Sequence, residues 1–486
     1  MKNIVLIDRG LMLLDSVYSS NKVNIKYLIA DYDAQVEKLK EAYDIENVFA
    51  ATDSLNEHLA QAEIDIDYDL IEKFKATQLK SEHFHDRFSD DTNLIQYYYF
   101  CALSFWHQVF STEDISAVVL RGVEHGANYD NLVLDVAKYH GVSGYVIETF
   151  AGRPLTNTLA NELKKSNYGA SAAAIKHYNS MKYVSIDCRK LKLPKVNLTN
   201  YLFFLNKNTS NQYKDSSFKN ISNRLISLKK KVPYGYWMAI KHAMFRSRFS
   251  FYNVHSDVSA LLENIKHVKS LSKFYNSVSV DFDPSRKCVF YALHFEPEAS
   301  ITVRARLRNQ LTIIKMLSQS LPSDWVLYVK EHPDQFKLNK PGFWFFLITV
   351  HKFRTNQFYK EILKFKNVKL LNFRIKSRDI INQSEAVASI NGTIALEAIV
   401  LNRPLILFGH QSTPIGLCND ALKVTSLQHC VDALSKISKG YVPQYSDFSE
   451  LIDNYTFELN DVHPLRAQLL VEYLVCEYGV KQVRVG

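Results

Sequence analysis

The chain has 486 residues, 47% of them hydrophobic and 22% charged, which excludes a disordered protein and leaves room for two domains of ordinary size. The net charge of +9 is unevenly placed: residues 151–280 hold 22 Lys and Arg against 5 Asp and Glu, a balance of +17, while the rest of the chain stands at −8. The six cysteines, Cys101, Cys188, Cys288, Cys418, Cys430 and Cys476, form no C-x-x-C pair, which argues against a disulfide framework or a zinc site and fits a reducing compartment.

The opening MKNIVLIDRG is too short in its apolar run, and too soon charged at Asp8 and Arg9, to be a signal peptide. No apolar run approaches the roughly 20 residues that cross a bilayer. The expected location is therefore cytoplasmic, or peripheral at the inner face of the inner membrane. IVLI (4–7), KVNIKYLIA (22–30) and VFA (48–50) read as strands, and Ser54–Ala62 and Leu70–Gln78 carry helical periodicity. AVVLRG (117–122) is a β-branched strand, the segment around Leu132, Leu134, Val136 and Ala137 is a helix closing at Gly141, and YVIETF (145–150) is the next strand. Strand, loop, helix, strand at this spacing is a βαβ unit and implies a parallel sheet.

From Thr156 to about Val278 the pattern is basic and mainly helical, and it is expected to be an insertion attached to the N-terminal half. It contains Lys229-Lys230-Lys231 and YGYWMAIKHAMFRSRFSFY (234–252), where aromatics alternate with Lys241, Arg246 and Arg248. Such a surface suits a solvated face, an anionic membrane surface or an anionic lipid-linked acceptor. Nucleic acid ranks last because no nucleic-acid-binding motif accompanies the charge.

A second α/β region follows. CVFYALHF (288–295) is a strand, Ile301–Leu321 a helix, WVLYVKEHP (325–333) and NVKLLN (367–372) strands, and Ser377–Gln383 a short helix. AVASI (386–390) is a strand, Ile394–Leu401 a helix and PLILFG (404–409) the next strand. The expected fold is α/β, with two Rossmann-like doubly wound domains facing a cleft. The expected divisions are 1–155, 156–280 for the basic insertion, 281–460, and a C-terminal helix in 461–486 packing back on the first domain.

Ligands of open α/β sheets bind beyond the carboxyl ends of the strands. Three such ends are rich in polar groups. LHFEPEAS (293–300) delivers His294, Glu296 and Glu298. VKEHPDQF (329–336) delivers Lys330 and His332, an ammonium and an imidazole suited to phosphate. SINGTIALEAIVLNRPLILFG (389–409) offers Asn391 or Thr393 as a helix cap, Gly392 for close backbone approach and Glu397 to accept from a ribose.

LHFEPEAS, VKEHP and NGTIALEAIVLNRPLILFG resemble the donor-binding half of bacterial capsule and lipopolysaccharide glycosyltransferases with the GT-B fold, closest to the retaining β-Kdo transferases of capsular polysaccharide biosynthesis. The resemblance covers roughly residues 286–412 and reaches the N-terminal half only at RGVEHGANYDNLVLDVAKYHG (121–141). It implies a CMP-activated ulosonic acid as donor, a glycan or lipid-linked oligosaccharide as acceptor, and no metal or other cofactor. His332 would contact the donor phosphate with Lys330 assisting, Asn391 and Thr393 would hold phosphate or carboxylate, and Glu397 would bind ribose. Ser89-Asp90-Asp91 reads as a loop or cap rather than a metal motif.

Retention of configuration calls for a carboxylate near the anomeric carbon. Glu124, two residues past the end of AVVLRG, is the candidate, as nucleophile or general base, with His125 and Asp130 to assist it. Its bland alternative is a carboxylate stabilising a helix start. A second carboxylate would come from the LHFEPE loop. Other readings are a CDP-glycerol-type phosphotransferase or a nucleotide-sugar epimerase on the same architecture, and, from another class, a non-catalytic carbohydrate- or nucleic-acid-binding protein.

Overall fold

A computed structural model describes residues 1–8, 11, 13–30, 33–50, 53–86, 91–121, 130–152, 171–193, 195, 258–336, 350–458 and 464–478. The first sheet is built from β1 (Lys2–Asp8), β2 (Val23–Ala30), β3 (Asn47–Ala50), β4 (Ala117–Arg121) and β5 (Ser143–Gly152), all parallel. β6 (Ser171–His177) then runs antiparallel to β5, and β7 (Lys182–Tyr183) antiparallel to β6. The second sheet holds β8 (Cys288–Ala292), β9 (Val326–Lys330), β10 (Val368–Leu371), β11 (Ala386–Ser389), β12 (Leu405–Leu407) and β13 (Leu422–Lys423), in the order β10-β9-β8-β11-β12-β13 and parallel throughout. The architecture is thus α/β with two sheets, each covered by apolar cores on both faces.

The strands are where the apolar runs put them, because strands covered on both faces need unbroken hydrophobic sequence. β1 is fully buried from Ile4 through Asp8. The helix Asp130–Tyr139 stops before Gly141, whose φ of +76° is the left-handed conformation that ends helices at little cost to glycine. Asp91 is a cap: its carboxylate accepts from Leu94 N at 3.0 Å and starts the helix Thr92–Thr112. That helix, with Tyr98, Tyr99 and Trp106 buried, covers one face of the first sheet.

The 156–280 segment is helical as expected at 258–278 and departs from that form at 171–177. SAAAIKH (171–177), rich in the best helix former, is a strand between β5 and β14 (Thr456–Glu458). Ala173, Ala174 and Ile175 have no exposure, so pairing on both edges and burial on both faces override a weak local preference. The helix Val258–Val278 is not attached to the N-terminal half alone. Val268 joins the core of the first sheet, while Leu271 and Tyr275 join that of the second. Residues 156–170 and 196–257, including the Lys229 run and the aromatic stretch 234–252, lie outside the described residues.

Two further differences bear on the site. The expected helix 301–321 is two helices, Ala299–Arg304 and Gln310–Ser320, because Ala305 turns extended and Asn309 caps the second by accepting from Thr312 N at 2.9 Å. The chain returns to the first sheet before residue 460, since β14 pairs antiparallel with β6. The helix Pro464–Glu472 then buries Ala467, Leu470 and Val471 against the core that holds Ile4 and Leu6. Five of the six cysteines are buried and all six are free. Among the described residues no helix is long and apolar enough to cross a membrane.

Leu470 is 1% exposed in this docking contact. Leu470→Ala should lower the free energy of unfolding by about 2–4 kcal/mol, read from equilibrium urea unfolding. A loss under about 0.5 kcal/mol would mean that the tail is not part of the folded core.

Candidate functional site

The carboxyl ends of β8, β9 and β11 come together at one end of the second sheet, and the loops that follow are fixed by hydrogen bonds to their main chain. Gln310 accepts from His294 N at 2.8 Å and donates to His294 O at 3.2 Å. Gln335 does the same for Glu296, accepting at 3.0 Å and donating at 2.9 Å. Two glutamine amides thereby imitate a strand's ladder where no strand continues.

Beneath these loops lies Arg354, with no solvent exposure. Its guanidinium donates to His294 O at 2.9 Å and pairs with Glu296 at 2.8 Å and Glu331 at 3.0 Å. The Phe358 ring lies 4.0 Å away. Glu331 also accepts from Tyr359 Oη at 2.6 Å and from His332 N at 2.7 Å. Tyr275 Oη accepts from Glu331 N at 3.0 Å and donates to Leu371 O at 2.6 Å. Burial pushes the Glu296 and Glu331 carboxyls up, and the Arg354 charge pulls both back. Sequence reading missed Arg354, Tyr275, Tyr359 and both glutamines. Nothing in HKFRTNQFY (351–359) announces that its arginine is the buried one.

The predicted donor residues sort differently. His294 is buried, and its Nε2 has no hydrogen-bond partner. Burial, with the His332 and Arg354 charges, pushes the imidazole down to about 3, so it is neutral at ordinary pH. Gly392 lies against this ring: a Cβ there would stand 3.0 Å from His294 Cε1. Asn391 donates to Ser300 O at 3.1 Å and Ser412 Oγ at 3.2 Å, and its carbonyl oxygen is buried without a partner. Thr393, exposed, occupies the cap position of the helix Ile394–Val400 but makes no side-chain capping bond. His332 Nδ1 accepts from Asp334 N at 3.2 Å.

Lys330 is 4% exposed and donates to Ile375 O at 2.9 Å and Ser377 Oγ at 2.6 Å. Burial pushes it down to about 8 against the pull of Glu397. Glu397 is itself pushed up to about 7 by burial, opposed by Lys330 and Arg378, and its Oε2 is buried without a hydrogen-bond partner. Glu296 is committed to Arg354 and is not the free second carboxylate expected of its loop. Glu298 starts the helix Ala299–Arg304 without a side-chain capping bond. Asp130 is buried at the start of its helix, whose Asn131, Asp135 and Lys138 line a cleft between the two halves. Glu124 and His125 lie outside the described residues.

Residues 226–422 match a protein family described as capsule polysaccharide biosynthesis protein, so the likeness read from the three loop motifs is borne out over that stretch. No curated protein matches the chain. Among solved structures, UDP-GlcNAc 2-epimerase from Methanocaldococcus jannaschii is 13% identical, with 98% of this chain and 99% of that one covered and a TM-score of 0.24. Two KpsC structures from Thermosulfurimonas dismutans are similar over less of the chain. The beta Kdo 2,7 transferase is 14% identical over 68% of this chain and 79% of its own, with a TM-score of 0.27. The beta Kdo 2,4 transferase is 13% identical over 70% and 88%, with a TM-score of 0.28. At such TM-scores these structural likenesses carry no argument.

Two measurements check the geometry. Arg354→Met leaves Glu296 and Glu331 buried without their cation and should cost about 3–5 kcal/mol, seen by chemical denaturation. A carboxyl raised in the folded chain contributes stability that is fully present below its ordinary value near 4.5 and is lost as pH climbs through about 7. Glu397→Gln should therefore gain on the wild type, by up to about 3 kcal/mol, as the pH is moved from about 5 to 7. Parallel melting curves would contradict the burial of Glu397.

Proposed function

We propose that this chain is a glycosyltransferase of bacterial capsule or lipopolysaccharide synthesis, transferring a CMP-activated ulosonic acid to a glycan or lipid-linked acceptor with retention. One observation carries the reading: within the stretch that matches the capsule family, the loop after β8 and the turn and helix after β11 hold three buried polar atoms that lack partners, His294 Nε2, Asn391 Oδ1 and Glu397 Oε2. Their nearness to one another at the carboxyl ends of parallel strands, where open α/β sheets take their ligands, supports a site for a polar ligand.

In this reading the nucleotide lies across the ends of β8, β9 and β11. His332 and the Lys330 ammonium meet the negative charge that grows on the CMP phosphate as the sugar leaves. Neutral His294 donates or accepts one hydrogen bond, according to its tautomer, without repelling or attracting charge. Asn391 and Thr393 hold phosphate or the sugar carboxylate, and Glu397 takes the ribose hydroxyls. Glu124, in the stretch joining β4 to the helix Asp130–Tyr139, supplies the carboxylate for retention, either attacking the anomeric carbon or taking a proton, with His125 and Asp130 beside it in sequence. The basic 156–280 segment brings the enzyme to an anionic membrane surface where a lipid-linked acceptor resides.

The test is titration calorimetry with CMP, CDP and UDP, joined to transfer from a CMP-linked ulosonic acid to a synthetic acceptor. CMP should bind best. His332→Ala should weaken CMP by about 10- to 100-fold, the loss of one charge-assisted contact. Glu124→Gln should keep CMP binding and lose several orders of magnitude in turnover. Preference for UDP, or full turnover in Glu124→Gln, would overturn the donor or the catalytic assignment respectively.

A further inference from the structure

A cleft of about 470 Å³ opens between the two halves, away from the loops just described: none of His294, Lys330, His332, Asn391 and Glu397 lines it. Six cations do. Lys80, Lys138 and Lys176 come from the first half, and Arg304, Arg306 and Arg308 from the second. The three arginines fall at the end of the helix Ala299–Arg304 and in the bent stretch that follows its extended residue Ala305.

Among the described residues only two carboxylates share the lining, and both already have partners. Asp135 accepts from Thr77 Oγ1 at 2.6 Å and Tyr178 Oη at 2.7 Å. Buried Glu148 accepts from Tyr183 Oη at 3.1 Å and pairs with Arg304 at 3.6 Å. Lys176, 4% exposed, crosses between the halves by donating to Gln411 O at 2.5 Å. Burial holds its ammonium below the usual value, opposed by Glu148, and the charges of Arg304, Arg306 and Lys80 push it further down. Each of those charges is therefore close enough to repel the Lys176 ammonium.

We propose that this cleft binds a multivalent oxyanion, a phosphate- or carboxylate-bearing group gripped by cations of both halves at once. An excess of cations over acids calls for more than one negative charge. The space suits a short chain of phosphates or two to three sugar rings, within the usual range of ligand pockets. Guanidinium groups take either oxyanion by paired hydrogen bonds, and a partly desolvated cleft strengthens them. Because each half supplies three of the cations, the ligand ties the halves together, and its binding favours the arrangement in which they meet. The site stands on the geometry of the cleft and is independent of the donor reading.

The test is calorimetric titration of the full chain with inorganic tripolyphosphate and, in a second arm, with trigalacturonate, using maltotriose as the neutral control of similar size. At least one oxyanion should bind, more weakly as salt is raised, and maltotriose should not. Binding of tripolyphosphate alone marks the natural ligand as phosphorylated, and of trigalacturonate alone as a carboxylated glycan. Lys138 and Arg306 are exposed, one on each wall, so the double variant Lys138→Ser/Arg306→Ser should keep its melting temperature and its CMP affinity while losing at least tenfold in oxyanion affinity. Absence of binding by both oxyanions, or full affinity in the double variant, would overturn the proposal. Loss of CMP binding with oxyanion binding intact would strike the donor reading alone.

Discussion

One buried guanidinium sets the positions of two loops at once. Arg354 meets the main chain of His294 and the carboxylates of Glu296 and Glu331, so the turn after β8 and the turn after β9 share a single anchor. A cation at this depth is unfavourable unless its donors are met, and here two carboxylates, a carbonyl and the face of Phe358 meet it. Its consequence is rigidity. With Gln310 and Gln335 fixing the same loops from the side, the imidazoles of His294 and His332 are held by a shell that a ligand need not organise.

The two halves are coupled by more than the cleft between them. The helix Val258–Val278 inserts Val268 into one core and Leu271 and Tyr275 into the other, and Tyr275 is hydrogen-bonded to Glu331 N in the candidate site. The chain then returns to the first sheet through β14 and the helix Pro464–Glu472. A relative motion of the halves would have to be absorbed at these crossings. One of them abuts the loop that carries His332, so movement of the first half has a packed route to the candidate donor loops.

The strands were legible because strands buried on both faces leave a strong mark: IVLI, AVVLRG and WVLYVKEHP are apolar runs that end in polar residues. The polar ends, with His294, Lys330, His332 and Asn391, were legible for the same reason, since a buried strand that stops on charged residues has brought them somewhere. What sequence did not disclose was pairing. Arg354 looks like any surface arginine, and Glu296 like an available carboxylate, until the fold places them 2.8 Å apart. SAAAIKH carries the local preference of a helix, and only its two neighbouring strands make it a third. The break at Ala305 was likewise hidden, because the apolar stripe of 301–321 continues across it.

That break matters beyond topology. A continuous helix from Ala299 to Ser320 would keep Arg304 and Arg308 on one face and turn Arg306 away from them, since side chains four apart on a helix share a face and side chains two apart do not. Turning the chain extended at Ala305 instead lets all three line one cleft, opposite Lys80, Lys138 and Lys176. The same few residues also follow directly from the His294–Glu298 loop, so the cationic wall and the candidate donor loop are consecutive parts of one segment. Arg304, Arg306 and Lys80 repel the buried Lys176 ammonium, and an anion in the cleft would offset that repulsion. The segment thus joins the loop anchored by Arg354 at one end to the cationic wall of the cleft at the other.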